Sequence, residues 1–252
     1  MSATETPVLL AIDNGIARVT LNRPDKRNAL NLAMCHALSS TFARLDADDD
    51  VRVVVLDAAG EVFCAGADLK ERQGKDEAWV LQRRLAGFAA YDAIGRCRRP
   101  VFALTQGPVV GSGGEIAMSC DFIVASTRTT FKFPEPQWGT VGATQRLQRV
   151  IGKRRAKELL FTGRVMPAEE AYGLGLVARL VQPEELAATG KATAEAIAAA
   201  SPLAMMLTKQ AVDLGEETDL GTGIRIELAA IERCLADGGW RDGIAAFAKK
   251  HG

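Results

Sequence analysis

The spacing of apolar positions changes several times along this chain, and each change marks an element. "VLLAIDNGIARVTLN", residues 8–22, alternates apolar and polar on both sides of Asn14-Gly15 and predicts a β-hairpin. "NALNLAMCHALSSTFARLDAD" shifts to helical spacing and predicts a helix over about 29–46. "VRVVVLDA" (51–58) and "PVFALTQG" (100–107) are short β-branched or apolar runs, as expected of buried strands. Between them "DEAWVLQRRLAGFAAYDAIGRC" predicts a long helix that stops before Pro100. A helix over 112–120, strands "DFIVAS" and "TTFKF", helices near 143–150, 153–161 and 167–173, and a strand "LVARLV" follow. From about residue 184 only helical spacing remains, in "PEELAATGKATAEAIAAA", "PLAMMLTKQAVDL", "IRIELAAIERCLAD" and "WRDGIAAFAKKHG". Alternating strands and helices predict the α/β class, here with an all-helical tail.

Composition narrows the partners. Of the 252 residues, 48% are hydrophobic and 25% charged, as in soluble globular domains. Lys plus Arg and Asp plus Glu both number 31, so the net charge is zero, which argues against nucleic acid or an anionic membrane as the main partner. Cys35, Cys64, Cys97, Cys120 and Cys234 are scattered, odd in number and without a C-x-x-C pair, the pattern of reduced thiols in a cytosol. "MSATETPVLL" lacks a basic start and a long apolar run, and no uncharged apolar stretch is long enough to span a bilayer. The chain therefore reads as cytoplasmic.

Several familiar sites are missing. "VVGSGG" is not a nucleophile elbow because Val110 takes the first glycine position, and "GSGGEI" lacks the last glycine of the dinucleotide fingerprint. "DADDDVRVVV" lacks the glycine and distal glutamate of a calcium loop, and no metal is expected. His36 lies inside the first helix and is read as a helix-face residue.

Three stretches carry candidate chemistry. In "EVFCAGADLKE" (61–71) a strand-like segment runs into Cys64-Ala65-Gly66-Ala67, and Asp68 is expected to open a helix. "GPVVGSGGEIAM" (107–118) repeats the arrangement of strand, small residues and helix start. Small residues allow close approach to the backbone, and the first N–H groups of a helix are unpaired donors, so two such turns together suit an oxyanion hole. Either turn alone is more simply a capped tight turn. In "FKFPEPQWGT" (131–140) Glu135 sits between two prolines, which predicts a stiff, extended mount for its carboxylate. Glu115 stands on the threshold of the apolar run Ile-Ala-Met-Ser-Cys. The helix dipole favours an acid there by about 0.3–1 kcal/mol but does not account for such small, apolar flanks. The expectation is that water and substrate come to Glu115.

Taken together, these segments resemble the enoyl-CoA hydratase/isomerase (crotonase) family over nearly the whole chain. "NRPDKRNAL", "FCAGADLKE", "GPVVGSGGEIAMSCD", "FKFPE", "TQRLQRVIGKRRAKELLFTGRVMPAEEAYGLGLV", "SPLAMMLTKQAV" and "DGIAAFAKKHG" carry the resemblance, in one order. It implies a spiral of ββα units in a core of residues 1–200, and a helical region, 201–252, that assembles trimers or dimers of trimers. It implies coenzyme A thioester substrates, with coenzyme A part of the substrate and no separate cofactor. By position, the N–H groups of Ala67 and Ser112 would hold the thioester oxygen, with Glu115 and Glu135 as the two acids of a hydratase. Ala65, Asp68 and Leu69 would bind adenine, Lys26 and Arg27 would lie near the phosphates, and Phe247 and Lys250 would reach the coenzyme from the C-terminal region. Ser112 stands where the family usually has a third glycine, so a Cβ is expected to restrict that turn. The loop after Glu135 is shorter than usual, which brings Trp138 to the wall of the acyl pocket.

The reading is a 2-enoyl-CoA hydratase. The alternatives are an isomerase, dehydratase or hydrolase of the same family and, outside enzymes, a coenzyme-binding scaffold or an RNA-associated protein.

Overall fold

In the computed structural model, residues 6–241 and 244–245 are described. Strands β1 (Val8–Asp13) and β2 (Ile16–Leu21) form the expected hairpin, with Val8 opposite Leu21. Asn14 and Gly15 both have positive φ, 49° and 77°, the left-handed pair that a tight two-residue turn requires. Helix α1 (Leu32–Ala47) begins at Asn31, whose side chain accepts from the Met34 N–H, and buries Met34, Cys35, Leu38, Phe42 and Leu45 at helical spacing. Next come β3 (Val53–Ala58) and α2 (Glu77–Gly95), which is capped by Asp76 through the Trp79 N–H at 2.8 Å.

The chain continues through β4 (Val101–Thr105), β5 (Pro108–Val110), α3 (Ser112–Met118), β6 (Phe122–Ser126) and β7 (Thr130–Lys132). Helices α4 (Thr144–Ile151) and α5 (Lys153–Thr162), strand β8 (Val165–Pro167), helix α6 (Ala168–Gly173) and strand β9 (Arg179–Val181) follow. Helices α7 (Leu186–Ala198), α8 (Pro202–Glu216) and α9 (Leu220–Asp237) come last among the described elements. The last helix expected from the sequence, in 240–252, falls largely outside the described residues.

The strands form a six-stranded sheet, ordered β1-β2-β3-β4-β6-β9, and a three-stranded sheet, β5-β7-β8. The chain alternates between them. Strand β4 leads to β5 and then α3; β6 leads to β7 and then α4. Strand β3 leads to Cys64, which bridges Val109 of β5. This is the spiral of ββα units. In β3, Val54 and Leu56 face the main core, while Val53 and Val55 face a second core under α7 with Phe102, Leu104 and Val124. A parallel strand buried on both faces reads as an unbroken apolar run, which is why "VRVVVLDA" shows no alternation.

Three local expectations fail. No helix starts at Asp68: residues 69–74 form turns, and α2 begins only at Glu77. One Asp68 oxygen accepts from the N–H groups of Lys70 and Glu71 at 3.2 and 3.3 Å, and Gly74 at φ +72° ends the turns. Glu135, though it precedes Pro136, is right-handed helical at φ −55°, ψ −45° rather than extended. Its carbonyl accepts from the N–H groups of Trp138 and Thr140 at 3.1 and 3.0 Å, and these turn bonds outweigh the pre-proline bias. Strand β8, three residues long, was not expected, whereas β5 is the strand read in "GPVV".

Candidate active site

The two small-residue turns meet. Cys64 bonds to β5 on either side of Val109: its N–H reaches the Pro108 carbonyl at 3.2 Å, and the Val110 N–H reaches the Cys64 carbonyl at 2.9 Å. On the other side, Leu30 N–H donates to the Gly66 carbonyl at 2.8 Å and Asp68 N–H to the Leu30 carbonyl at 3.0 Å. Residues 64–68 are thus pinned from both flanks. Ser112 opens α3, where its N–H has no helical carbonyl four residues back. Gly111, before it, has φ +48°, and a Cβ there would stand 2.7 Å from Glu135 Oε1. A Cβ on Gly113 would stand 2.6 Å from the Cys64 carbonyl oxygen. Only glycine lets the turn before α3 close on the first turn and on Glu135.

Between the turns lies a cavity of about 170 Å³. Ala65, Ala67, Leu69, Ser112, Glu115, Glu135 and Trp138 all line it. Lys26, Arg27 and Asp68 do not. Lys26 and Arg27 are exposed, but the Arg27 carbonyl accepts from the Ala65 N–H at 3.0 Å, which sets this segment beside the first turn. Asp68 turns its other oxygen to the buried Arg23, Nη1 at 3.0 Å, and so acts in building the turn. Phe247 and Lys250 lie outside the described residues.

Ser112 takes the ordinary helical backbone at the first position of α3 and is not among the positive-φ residues, so a Cβ there brings no backbone strain. Its hydroxyl faces the Tyr91 phenol, which burial holds well above its ordinary pKa and so neutral.

Glu115 is buried, with 6% of its surface exposed. The protein itself supplies its partners: Oε1 accepts from the Ala143 N–H at 2.7 Å and Oε2 from Arg146 Nη1 at 3.0 Å. The expectation that only water and substrate compensate this carboxylate is therefore revised. Ala143 reaches it because its backbone is left-handed, φ 54°, just before α4. Arg146 is steadied by the Tyr91 ring, 5.6 Å from the guanidinium carbon to the ring centre.

Glu135 is the opposite case. Its Oε2 is buried and has no hydrogen-bond partner among the described residues. Burial, with the charge of Glu115 as a smaller contribution, raises its pKa above the usual carboxylate range. One carboxylate is thus surrounded by donors and the other favours its proton. Such a difference of surroundings would suit one carboxylate to accept a proton and the other to give one.

The sequence reading missed the rest of the lining: Arg72, Arg83, Arg84, Phe88, Tyr91, Thr140 and Val141. A signal was present, since residues 84, 88 and 91 recur at helical spacing on α2. Among the described residues no cluster of His, Cys, Asp or Glu is placed to hold a metal ion. No described helix is long and apolar enough to cross a membrane.

The sequence profile of the enoyl-CoA hydratase/isomerase family matches residues 11–252. The chain belongs to this family. A Rhizobium meliloti (strain 1021) relative named "Probable enoyl-CoA hydratase" is 38% identical over 247 residues, covering 96% of this chain and 95% of the relative. The crystal structure of an enoyl-CoA hydratase from Bacillus anthracis is similar with a TM-score of 0.94 at 34% identity, over 97% of each chain. A Thermobifida fusca chain solved in complex with acetoacetyl-CoA has a TM-score of 0.84 at 30% identity, over 92% of this chain and 95% of that one. The spiral α/β fold expected from the sequence is the fold of these structures.

Proposed function

We propose that the protein hydrates 2-enoyl-CoA thioesters. The observation that carries this reading is the pair of unlike carboxylates, Glu115 and Glu135, on one cavity with the turns of Ala67 and Ser112. Water between the carboxylates gives a proton to Glu115, and its oxygen bonds to Cβ of the substrate. The π electrons move toward the thioester oxygen, where the N–H groups of Ala67 and Ser112 meet the developing charge. Such a donor is typically worth about 3–4 kcal/mol in the transition state. Glu135 delivers its proton to Cα, and proton exchange with solvent resets the pair. Two acids suit net addition of water better than isomerisation, which one carboxylate can carry out alone. The scheme asks for no cofactor, because coenzyme A is part of the substrate.

In this reading the segment 65–69 takes the adenine end of coenzyme A. Exposed Lys26 and Arg27 stand beside it for the phosphates, and Trp138 forms the acyl-side rim. The unpaired thiols fit a reducing compartment such as the cytosol. Residues 201–252 serve as the assembly region: α9 buries no residue and exposes Leu220, Ile224, Leu228, Ile231 and Leu235 along one stripe. A homotrimer or a pair of trimers covers that stripe. Sedimentation of the full chain and of a chain ending at residue 200 tests this, with an unchanged oligomer in the shorter chain counting against it.

The deciding experiment is product analysis with a 2-enoyl and a 3-enoyl thioester. Formation of the 3-hydroxyacyl product from the 2-enoyl substrate is expected. Interconversion of the two alkenes without water addition would make the protein an isomerase, and release of free thiol a hydrolase. The zero net charge argues against an RNA partner, which binding measured across a salt series checks.

A further inference from the structure

The cavity is not a plain hydrocarbon pocket. Arg72, Arg83 and Arg84 all line it, beside Phe88 and Val141. Arg83 is 2% exposed; its Nη2 donates to the Leu30 carbonyl, while its Nε is buried without a partner. The Nε of Arg72 is likewise buried and unpartnered. Arg84 donates to the Val141 carbonyl at 2.7 Å and to Thr140 Oγ1 at 2.6 Å, holding the loop over the cavity.

None of the three forms an ion pair among the described residues. Of the cavity's own acids, Glu115 is held by Arg146, and Glu135 forms no ion pair with any of the three: burial raises its pKa, and the nearby Arg84 charge only partly offsets this. Glu71 is the remaining acid nearby, and both its oxygens accept the Leu32 N–H, at 3.1 and 3.0 Å. Burial, then Arg83 and Arg84, lower the pKa of Arg72, and Glu71 offsets this less than either arginine contributes. Grouped cations in a partly dry cavity, with donors left over, call for an anion. A hydrocarbon tail cannot supply one, whereas a carboxylate matches the guanidinium fork.

We propose that the acyl group taken by this cavity carries its own carboxylate, received by Arg72 and Arg83 with Arg84 at the rim. The inference rests on the reading of the cavity as a thioester site and specifies its substrate class.

The test uses saturated thioesters, which cannot be hydrated, so that binding is read apart from chemistry. Calorimetry on the full chain compares succinyl-, glutaryl- and adipyl-CoA with butyryl-, valeryl- and hexanoyl-CoA, and with free coenzyme A. At least one acid is expected to bind about tenfold or more tighter than its neutral counterpart. Arg72→Met should reduce that ratio to about threefold or less, and Arg72→Lys should restore part of it. Arg83→Met should act in the same direction. Arg83 also anchors the Leu30 carbonyl, so Arg72→Met carries the test if that variant does not fold.

The proposal falls if no pair shows the preference, or if the preference survives Arg72→Met. It also falls if Arg72→Met weakens free coenzyme A as much as the acid thioester, because the guanidinium then serves the coenzyme phosphates. A protein that showed the preference but turned over no 2-enoyl thioester would lose the hydratase reading and keep this one.

Discussion

Arg146 donates from Nη1 to Oε2 of Glu115 at 3.0 Å, across 31 residues of chain. The contact fixes the orientation of a buried carboxylate that the proposed reaction uses as a base. Arg146→Met is expected to lower kcat by roughly ten- to a hundredfold, corresponding to about 1–3 kcal/mol for a lost charge-assisted bond. Arg146→Lys should recover part of it, since the charge returns but the planar donor does not. Steady-state kinetics of the three proteins check this, and an unchanged kcat in Arg146→Met would make the contact merely structural.

Glu115→Gln and Glu135→Gln should each lower hydration by about 10²–10⁴-fold or more with binding of a saturated thioester nearly intact. Both act on one water, so the double variant should lose far less than the product of the single losses. Near-normal turnover in Glu135→Gln would overturn the two-acid mechanism.

The raised pKa of Glu135 has a sign that can be tested. Its folded pKa lies above its unfolded value of 4.5, so the folded state holds the proton more firmly. Stability then falls as pH rises from the unfolded value through the raised folded one, because the native state must ionise a buried acid. Glutamine does not titrate. The difference in melting temperature between Glu135→Gln and the parent should therefore grow in favour of the variant from about pH 4 upward and level off above the raised value. Hydration should lose activity over the same rise, as the acid loses its proton. A difference that stayed constant with pH would contradict the assignment.

Gly113 stands where a Cβ would meet the Cys64 carbonyl oxygen at 2.6 Å and the Cys64 Cβ at 2.8 Å. Gly113→Ala must push the two small-residue turns apart. It should cost about 1–3 kcal/mol of stability and most of the turnover. Gly173 is the control: it lies at the end of α6 with nothing within 4 Å of an added Cβ. Gly173→Ala should leave turnover unchanged and stability equal or higher by up to about 1 kcal/mol. Chemical denaturation and kinetics on both variants decide.

Local rules were sufficient for much of this molecule. Asn14-Gly15 takes the two left-handed conformations of a tight turn and so makes the hairpin; Asn31 and Asp76 cap the helices that follow them; and the apolar run at 53–56 is the strand covered on both faces that its β-branched residues suggested. The small residues around Ala67 and Ser112, with Glu115 and Glu135, stood out in the sequence by size and position, and the fold brings them to one cavity. Where a three-residue strand is too short to show a period, as in β8, the sequence carried no signal.

Tertiary structure decided the partners. Periodicity tells which face of an element is buried, not what it is buried against. Nothing local to residue 115 announces that Arg146 and the Ala143 N–H will reach it, and nothing local to residue 135 announces that its Oε2 will find no donor. Asp68 could cap a helix by its own chemistry, but Arg23 and the turn at 69–74 claimed it. Nothing in the sequence sets Arg72, Arg83 and Arg84 apart from other charged residues; α2 and the loop at 140–142 bring them to one cavity. A carboxylate or a guanidinium takes its ionisation and its role from what the fold brings within a few ångströms, and that is a property of the packed chain rather than of any segment of it.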